Sequence, residues 1–313
     1  MNKCEVCGES FKSERGLHAH LKKHNLTVAE YYTQYYPKKD MLTGDPLPFK
    51  NKEDYFSKDF LTRARMHKWA ASNPNKREVK DYILEKLKSR INKKSMSSAP
   101  CHLDIELTDM PSIDCYKHFF GSYGEACREI GFKPCYSSSM VQGFFEEDSV
   151  YDDIKILIDT REQKPLKFKN GEALKLDFGD YTAAGDFYSY TYIDRKSDTD
   201  FKSTLSVGFD RFKREIERAR EFDSFLYIVV ESSVSNINKN NLFAPHKANM
   251  AYIWHNTRLL IREYSDVCQV LFSGGRKSSE KLIPRLLRFG KNLWDCDVQY
   301  YIDKKIKENK EGK

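Results

Sequence analysis

Gly179-Asp180 and, fourteen residues after that aspartate, Asp194-Arg195-Lys196 stand on segments too short and too finely alternating to be helices. Tyr188, Tyr190, Tyr192, Asp194 and Lys196 recur every second residue. Strand side chains alternate between faces with period two, so these five share one face and Arg195 takes the other. An acid on one strand and acid-x-lysine on its neighbour bring two carboxylates and an amine into one small volume. Carboxylates suit a hard divalent cation, and the amine stands beside the water such an ion activates. That chemistry serves phosphodiester hydrolysis.

The flanks supply the rest of an α/β domain. Ile154-Lys155-Ile156-Leu157-Ile158 reads as a short strand ending in Asp159-Thr160-Arg161-Glu162. A helical pattern around Phe209 and Phe212 leads to an apolar strand at 225–230. A helix over about 249–264, a strand at 267–272 and a last amphipathic helix with Leu282, Ile283, Leu286, Leu287, Leu293 and Trp294 follow. Such alternation predicts helices around a mixed sheet. His246, Trp254 and His255 read as structural, and Lys304-Lys305-Ile306-Lys307 as a solvated tail.

The chain opens on a different signal, Cys4 and Cys7 followed by His20 and His24, spaced C-x2-C-x12-H-x3-H, with Phe11 and Leu17 at the apolar positions between. Histidines four apart share a helix face and can reach one zinc ion, with two thiolates from a tight turn eased by Gly8. Zn2+ binding would supply the folding energy that so small a core lacks. His18 lies off the ligand face.

In the middle, Thr27-Val28-Ala29-Glu30 is a capping box opening a helix, and Tyr31, Tyr32, Tyr35 and Tyr36 on it are expected to pack in a core more than to stack on bases. A helix is expected from near Glu53 through Tyr55, Phe56, Phe60, Leu61 and Trp69. Val79, Ile83, Leu84, Leu87 and Ile91 recur at helical spacing, and two short helices follow, joined at Gly121. Cys101, Cys115, Cys127 and Cys135 have no metal-knuckle spacing and read as free thiols. The stretch 136–150, with its serines and acids, reads as a polar linker.

At 313 residues and 40% hydrophobic content, with no apolar run near membrane-spanning length, the expectation is a multidomain protein with no membrane partner. Eight cysteines with metal spacing and no leader predict a reducing, intracellular setting, cytoplasmic over nuclear. A net charge of +7 suits a polyanionic partner. The expected domains are 1–26, 27–75, 76–135, the linker 136–150 and 151–313.

Three resemblances sharpen this. Residues 151–313 resemble the XPF-type nuclease domain, a restriction-endonuclease-like fold, matching its pattern at Asp159, Arg161, Glu162, Gly179, Asp180, Arg195, Lys196 and Asp200. They depart at Asp194, where the family usually has glutamate. The first 26 residues resemble the two-cysteine, two-histidine zinc finger, which implies a small ββα unit. Residues 111–134, centred on Phe120-Gly121-Ser122-Tyr123, resemble the homing-endonuclease-associated repeat, a helix-turn-helix-like element. Together they look like a phage-type, free-standing homing endonuclease.

The resemblance implies that Asp159, Asp180 and Asp194 hold Mg2+ or Mn2+. Lys196 would orient or deprotonate the attacking water, with Arg161 and Arg195 as candidate phosphate clamps and 5′-phosphate ends on the products. Glu162 and Asp200 would hold the site together. In the finger, the usual base-contacting positions carry Ser13, Gly16 and Ala19, of which the last two are too short to read bases. Contacts with double-stranded DNA therefore fall to Lys12, Arg15, Lys22 and Lys23 on phosphate, and to Lys117 and His118, with Asp114, on the repeat. A twofold target would imply a homodimer. A branched-DNA repair nuclease and a DNA-binding regulator with an inert nuclease fold remain the alternatives.

Overall fold

The computed structural model describes residues 2–49, 51–185 and 190–311, which divide into two units. The first is Met1–Ser89 with Thr108–Ser122, and the second is Arg90–Leu107 with Tyr123–Lys313.

The first unit begins with a two-stranded antiparallel ladder, β1 (Asn2–Lys3) and β2 (Ser10–Phe11), then α1 (Glu14–His20) and a tight 3-10 turn to His24. Helix α2 (Val28–Tyr35) starts at the predicted capping box, where Thr27 Oγ1 accepts from the Glu30 amide at 3.2 Å and Glu30 Oε2 from the Thr27 amide at 2.7 Å. Tyr31 is fully buried among Cys4, Leu17 and Leu21, and its hydroxyl accepts from the Glu5 amide at 2.9 Å. Tyr31 is thus core, as expected.

The helix expected from Glu53 to Trp69 is two helices, α3 (Lys52–Ser57) and α4 (Arg63–Ser72). Thr62 restarts the chain by accepting from the Arg65 amide at 3.3 Å, and the break turns Phe60 onto Met66, Trp69 and Val79. A side-chain cap satisfies a donor that an unbroken helix would have paired internally. Helix α5 (Lys76–Lys94) follows the predicted periodicity, and the short α6 (His102–Glu106) comes next. Helix α7 (Ile113–Phe120) is capped by Ser112 and ends at Gly121, whose φ of +81° is one that side-chain-bearing residues avoid. Helix α8 (Tyr123–Glu129) lies across the unit boundary, in the second unit.

The second unit is built on a six-stranded mixed sheet in the order β4-β3-β5-β6-β7-β8. The strands are β3 (Ile156–Asp159), β4 (Gly171–Leu174), β5 (Tyr181–Ala183), β6 (Thr191–Lys196), β7 (Phe225–Val230) and β8 (Cys268–Phe272). β5 is antiparallel to β3 and to β6, whereas β6, β7 and β8 run parallel. Every residue of β7 is buried, as in a central strand covered on both faces. One face packs Leu226, Ile228 and Val230 against α9 (Asp198–Thr204), α10 (Phe209–Glu221), α11 (Val234–Phe243) and α12 (Met250–Glu263). The other packs Phe225, Tyr227 and Val229 against α13 (Arg276–Phe289) and α14 (Val298–Glu311).

Two sequence expectations need correction here. The stretch 304–307 is exposed, as expected, but it is helical, part of α14, because Val298 and Ile302 anchor that helix in the core. The stretch 136–150 is not a free linker: Phe144 is buried, and the Ser137 and Ser138 amides donate to Asp295 at 3.1 and 2.8 Å.

Candidate active site

Sheet register assembles the site. Tyr181 pairs with Ile158 on one side and with Ile193 on the other. One residue further along each ladder, Asp180 lies beside Asp159 and beside Asp194. The Asp159 amide donates to the Asp180 carbonyl at 2.8 Å, and the Asp180 amide to the Ile193 carbonyl at 2.7 Å. The alternation expected of β6 holds from Tyr192 onward, with Tyr192 on the α10 face and Ile193 on the α13 face. Tyr190 is exposed and precedes the strand, and Tyr188 lies outside the described residues.

Gly179 makes the close approach possible. Its φ is +68°, and a Cβ there would sit 3.0 Å from the Ile193 carbonyl oxygen and 3.3 Å from Tyr192 Cβ. Asp180 then accepts from the Arg195 backbone amide through Oδ2 at 2.7 Å. Burial, and then the neighbouring Asp194 carboxylate, push the Asp180 pKa up. Two like charges in a shared low-dielectric site disfavour double ionisation unless positive charge balances them.

Asp194 is 3% exposed. Its Oδ1 accepts from Lys196 Nζ at 2.5 Å, whereas its buried Oδ2 has no hydrogen-bond donor among the described residues. Lys196 Nζ also lies 5.2 Å from the Phe212 ring centre on α10. Burial works against the lysine's charge, but Asp194, Asp180 and Glu215 outweigh it and raise its pKa. A lysine held charged donates hydrogen bonds and stabilises anions.

Asp159 and the two arginines are each bound into ion pairs of the fold, with Arg195 on the face that the alternation predicts. Arg161 grips Asp159 through Nε to Oδ1 at 2.7 Å and Nη2 to Oδ2 at 2.8 Å, and its amide adds a bond to Oδ1 at 2.7 Å. The Leu176 amide donates to Oδ2 at 2.8 Å. The Arg161 guanidinium beside it holds the Asp159 pKa down at about 2. Arg195 points to the opposite face, where Glu162 takes Nε at 3.1 Å and Nη2 at 3.0 Å and Glu231 takes Nη1 at 2.9 Å. Both arginines are paired with acids of their own fold, Arg161 at an exposed position and Arg195 at a buried one. Glu162 braces Arg195, and Asp200 accepts from Ser197 Oγ at 2.6 Å at the start of α9.

Glu215 on α10 was not anticipated. It sits three residues beyond Phe212, on the edge of the stripe Phe209, Phe212, Ile216 and Ala219 that α10 buries. Burial and Asp194 raise its pKa, while Lys196 and the Gly179 amide favour its charged form. Helical spacing from Phe212 could have drawn attention to it.

In the first unit, Cys4, Cys7, His20 and His24 bring their donor atoms within 4.8 Å of one another. Cys7 Sγ lies 3.2 Å from His20 Nε2, and the two Nε2 atoms are 3.0 Å apart. Tetrahedral zinc bonds of 2.0–2.3 Å set donors about 3.3–3.8 Å apart, so this group fits a single ion. His20 Nδ1 faces Glu9 at 3.5 Å, the kind of outer carboxylate that orients a ligating imidazole. Lys12, Arg15, Lys22 and Lys23 are exposed around it, while Ser13 is spent capping α1. On α7, Asp114 and His118 are exposed, Lys117 is half-buried, and Ile113 and Tyr116 face inward. No second group of metal-binding geometry occurs among the described residues, and the remaining cysteines are free thiols. Among the described residues no helix is long and apolar enough to cross a membrane.

No protein-family model matches this chain, and no curated protein does. Among solved structures it is similar to XPF from Aeropyrum pernix, alone and in complex with DNA, at 18% identity in each case. The TM-scores are 0.34 and 0.33, over 44% and 43% of this chain and 68% and 63% of those chains. Likenesses at this level do not assign a family.

Proposed function

We propose that this chain is a divalent-cation-dependent DNA endonuclease that hydrolyses phosphodiester bonds in duplex DNA, acting as a site-selective, homing-type enzyme. One observation carries the reading: Asp194 Oδ2 is a buried carboxylate oxygen with no donor among the described residues, beside a second carboxylate and a charged amine. An unsatisfied buried carboxylate oxygen costs stability, and folds keep such groups where a ligand uses them. The donors are hard oxygens, which suits Mg2+ or Mn2+. Asp180 and Asp194 would hold the ion. When bound, it supplies Lewis-acid polarisation of the phosphate and offsets the carboxylate charge. Lys196 donates toward the attacking oxygen or a phosphate oxygen, and Asp159 with Arg161 fixes the end of β3.

In the same reading the first unit supplies DNA contacts. A zinc ion on Cys4, Cys7, His20 and His24 would order α1. Lys12, Arg15, Lys22 and Lys23 would then meet phosphates, and α7 would offer Lys117 and His118 to the duplex. A palindromic site would be cut by two copies of the chain, one strand each.

Cleavage of random duplex, a flap substrate and a genomic library, each with and without Mg2+, tests this. Expected are magnesium-dependent cuts at a restricted set of duplex sites, and their loss with retained binding in Asp180→Asn. Undiminished cutting by that variant removes the assignment. Cutting confined to flaps replaces it with a structure-specific repair nuclease. Binding without any cleavage replaces it with a DNA-binding regulator.

A further inference from the structure

We propose that the loop 242–247 is a wedge that enters a base step of the DNA, with Leu242 and Phe243 as the inserted side chains. This rests on the reading of the partner as duplex DNA.

Asn241 builds the loop. It is buried, and its side-chain amide pairs both backbone groups of Ala248: Nδ2 donates to the carbonyl at 3.0 Å, and Oδ1 accepts from the amide at 2.9 Å. The two bonds clamp the ends of the loop, and Pro245 fixes one φ between them. Trp254 Nε1 donates to Asn238 Oδ1 at 2.8 Å and ties α11 to α12. On this seat Leu242 is 66% exposed and Phe243 79% exposed. A single exposed leucine is ordinary, whereas two adjacent large apolar side chains held out by a clamped loop form a contact surface.

Charge and position identify what that surface meets. Residues 232–262 contain no aspartate or glutamate, although acids make up 46 of the 313 residues. Lys239, His246 and Lys247 flank the apolar pair and are exposed, and among the described residues neither lysine is in an ion pair. Such a surface carries no charge that phosphate repels. It also belongs to the end of the sheet that carries Asp194 and Lys196. Val230 of β7 pairs with Lys196, the Glu231 amide donates to the Lys196 carbonyl at 2.9 Å, and α11 starts just after, at Val234. Near the other end of α11, Asn240 Nδ2 donates at 3.0 Å to Oδ2 of Asp198, the first residue of α9.

Apolar side chains driven between base pairs unstack a step and kink the duplex. Pyrimidine–purine steps yield most easily, so the wedge selects sites by deformability without reading base edges. Lys239 and Lys247 hold the flanking phosphates.

The test uses the full chain and a duplex with TA and CA steps in which 2-aminopurine, whose fluorescence rises on unstacking, replaces the adenines. Anisotropy reads binding, and genomic DNA with Mg2+ reads cutting. Wild type is compared with Lys247→Ala and with the double variant Leu242→Ser, Phe243→Ser, and circular dichroism confirms each fold. Expected in the double variant are loss of the fluorescence rise, cutting slower by about tenfold or more, and affinity within about threefold of wild type. Lys247→Ala should bind more weakly and lower the salt slope by about one. A double variant that unstacks and cuts like wild type overturns the wedge and leaves the nuclease standing. Wild type that unstacks the duplex without cutting any DNA supports the wedge and removes the nuclease reading. Wild type that binds no duplex removes both. Self-association lost in the double variant, with unchanged DNA signals, makes the loop a contact between copies and overturns the wedge.

Discussion

Lys196 Nζ touches Asp194 Oδ1 at 2.5 Å from two residues further along the same face of β6, and Phe212 closes the space below the amine at 5.2 Å. The pair turns one oxygen of Asp194 inward to the lysine and leaves the other free for a different partner. It also fixes the long lysine side chain, whose freedom would otherwise have to be given up on binding substrate.

Lys196→Met should therefore separate two properties. Removing a positive charge next to two carboxylates leaves cation affinity equal to wild type or tighter. Removing a preorganised donor to developing negative charge should lower cleavage by about 10²–10³-fold. Mn2+ titration beside single-turnover cleavage at saturating metal measures both. A fall in metal affinity that accounts for the whole rate loss would sink the assignment of Lys196 to the chemistry.

Gly179 is the hinge on which Asp180 reaches β6. Alanine there must adopt a φ of +68° and place a methyl 3.0 Å from the Ile193 carbonyl oxygen. Strain at such a position is about 1–3 kcal/mol, and relief would come by moving the strand end that carries Asp180. Gly179→Ala should lower Tm modestly and abolish most cleavage even well below that Tm. Equal activity per folded molecule would show that the close approach is dispensable.

Much of this site could be read from the chain, and the exceptions share a cause. The runs at 225–230 and 267–272 are apolar throughout because β7 and β8 are buried, so period and composition identify them together. The pairing of Asp180 with Asp194 follows from a short antiparallel connection. What escaped depends on docking between distant elements. Which acid of 209–221 turns toward the sheet is set by how α10 rests on β6, and Glu215 looks no different in sequence from Glu217. The lysine-rich end of α14 masked Val298 and Ile302, which bury on β-sheet residues remote in the chain. Asp159 matched a motif, yet its neighbour Arg161 takes it first, a local competition that the motif does not reveal.

The amino-terminal metal group should be separable from the catalytic one. Its apolar core is Cys4, Leu17, Leu21 and Tyr31, too little to hold 20 residues without an ion. A zinc-selective chelator, or Cys7→Ala, should expose the amides of residues 14–24 to hydrogen exchange and loosen Tyr31 from Glu5. The amides of β7 and β8 should stay protected. Peptide-resolved exchange by mass spectrometry distinguishes this from global unfolding, and unchanged protection of 14–24 would contradict a metal-dependent fold there.

A last prediction concerns pH and depends on neither metal group. His102 is buried, its Nε2 lies 2.8 Å from Asp303 Oδ2, and its backbone amide donates to Asp297 Oδ2 at 2.7 Å. Burial alone would lower its pKa, but the Asp303 hydrogen bond and the charges of Asp297, Asp303 and Glu106 prevail and raise it. A folded-state pKa above the unfolded value near 6.5 means the charged pair stabilises fully below about pH 6.5. That contribution disappears as pH rises through the folded value. It should amount to about 1 kcal/mol, since Asp303 is partly exposed and screened. His102→Gln keeps a donor of similar size but cannot titrate. Denaturant melts of both proteins should therefore differ most near about pH 6 and converge toward about pH 9. A gap that stays constant across that range would mean that His102 is neutral in the folded protein and packs there without its charge.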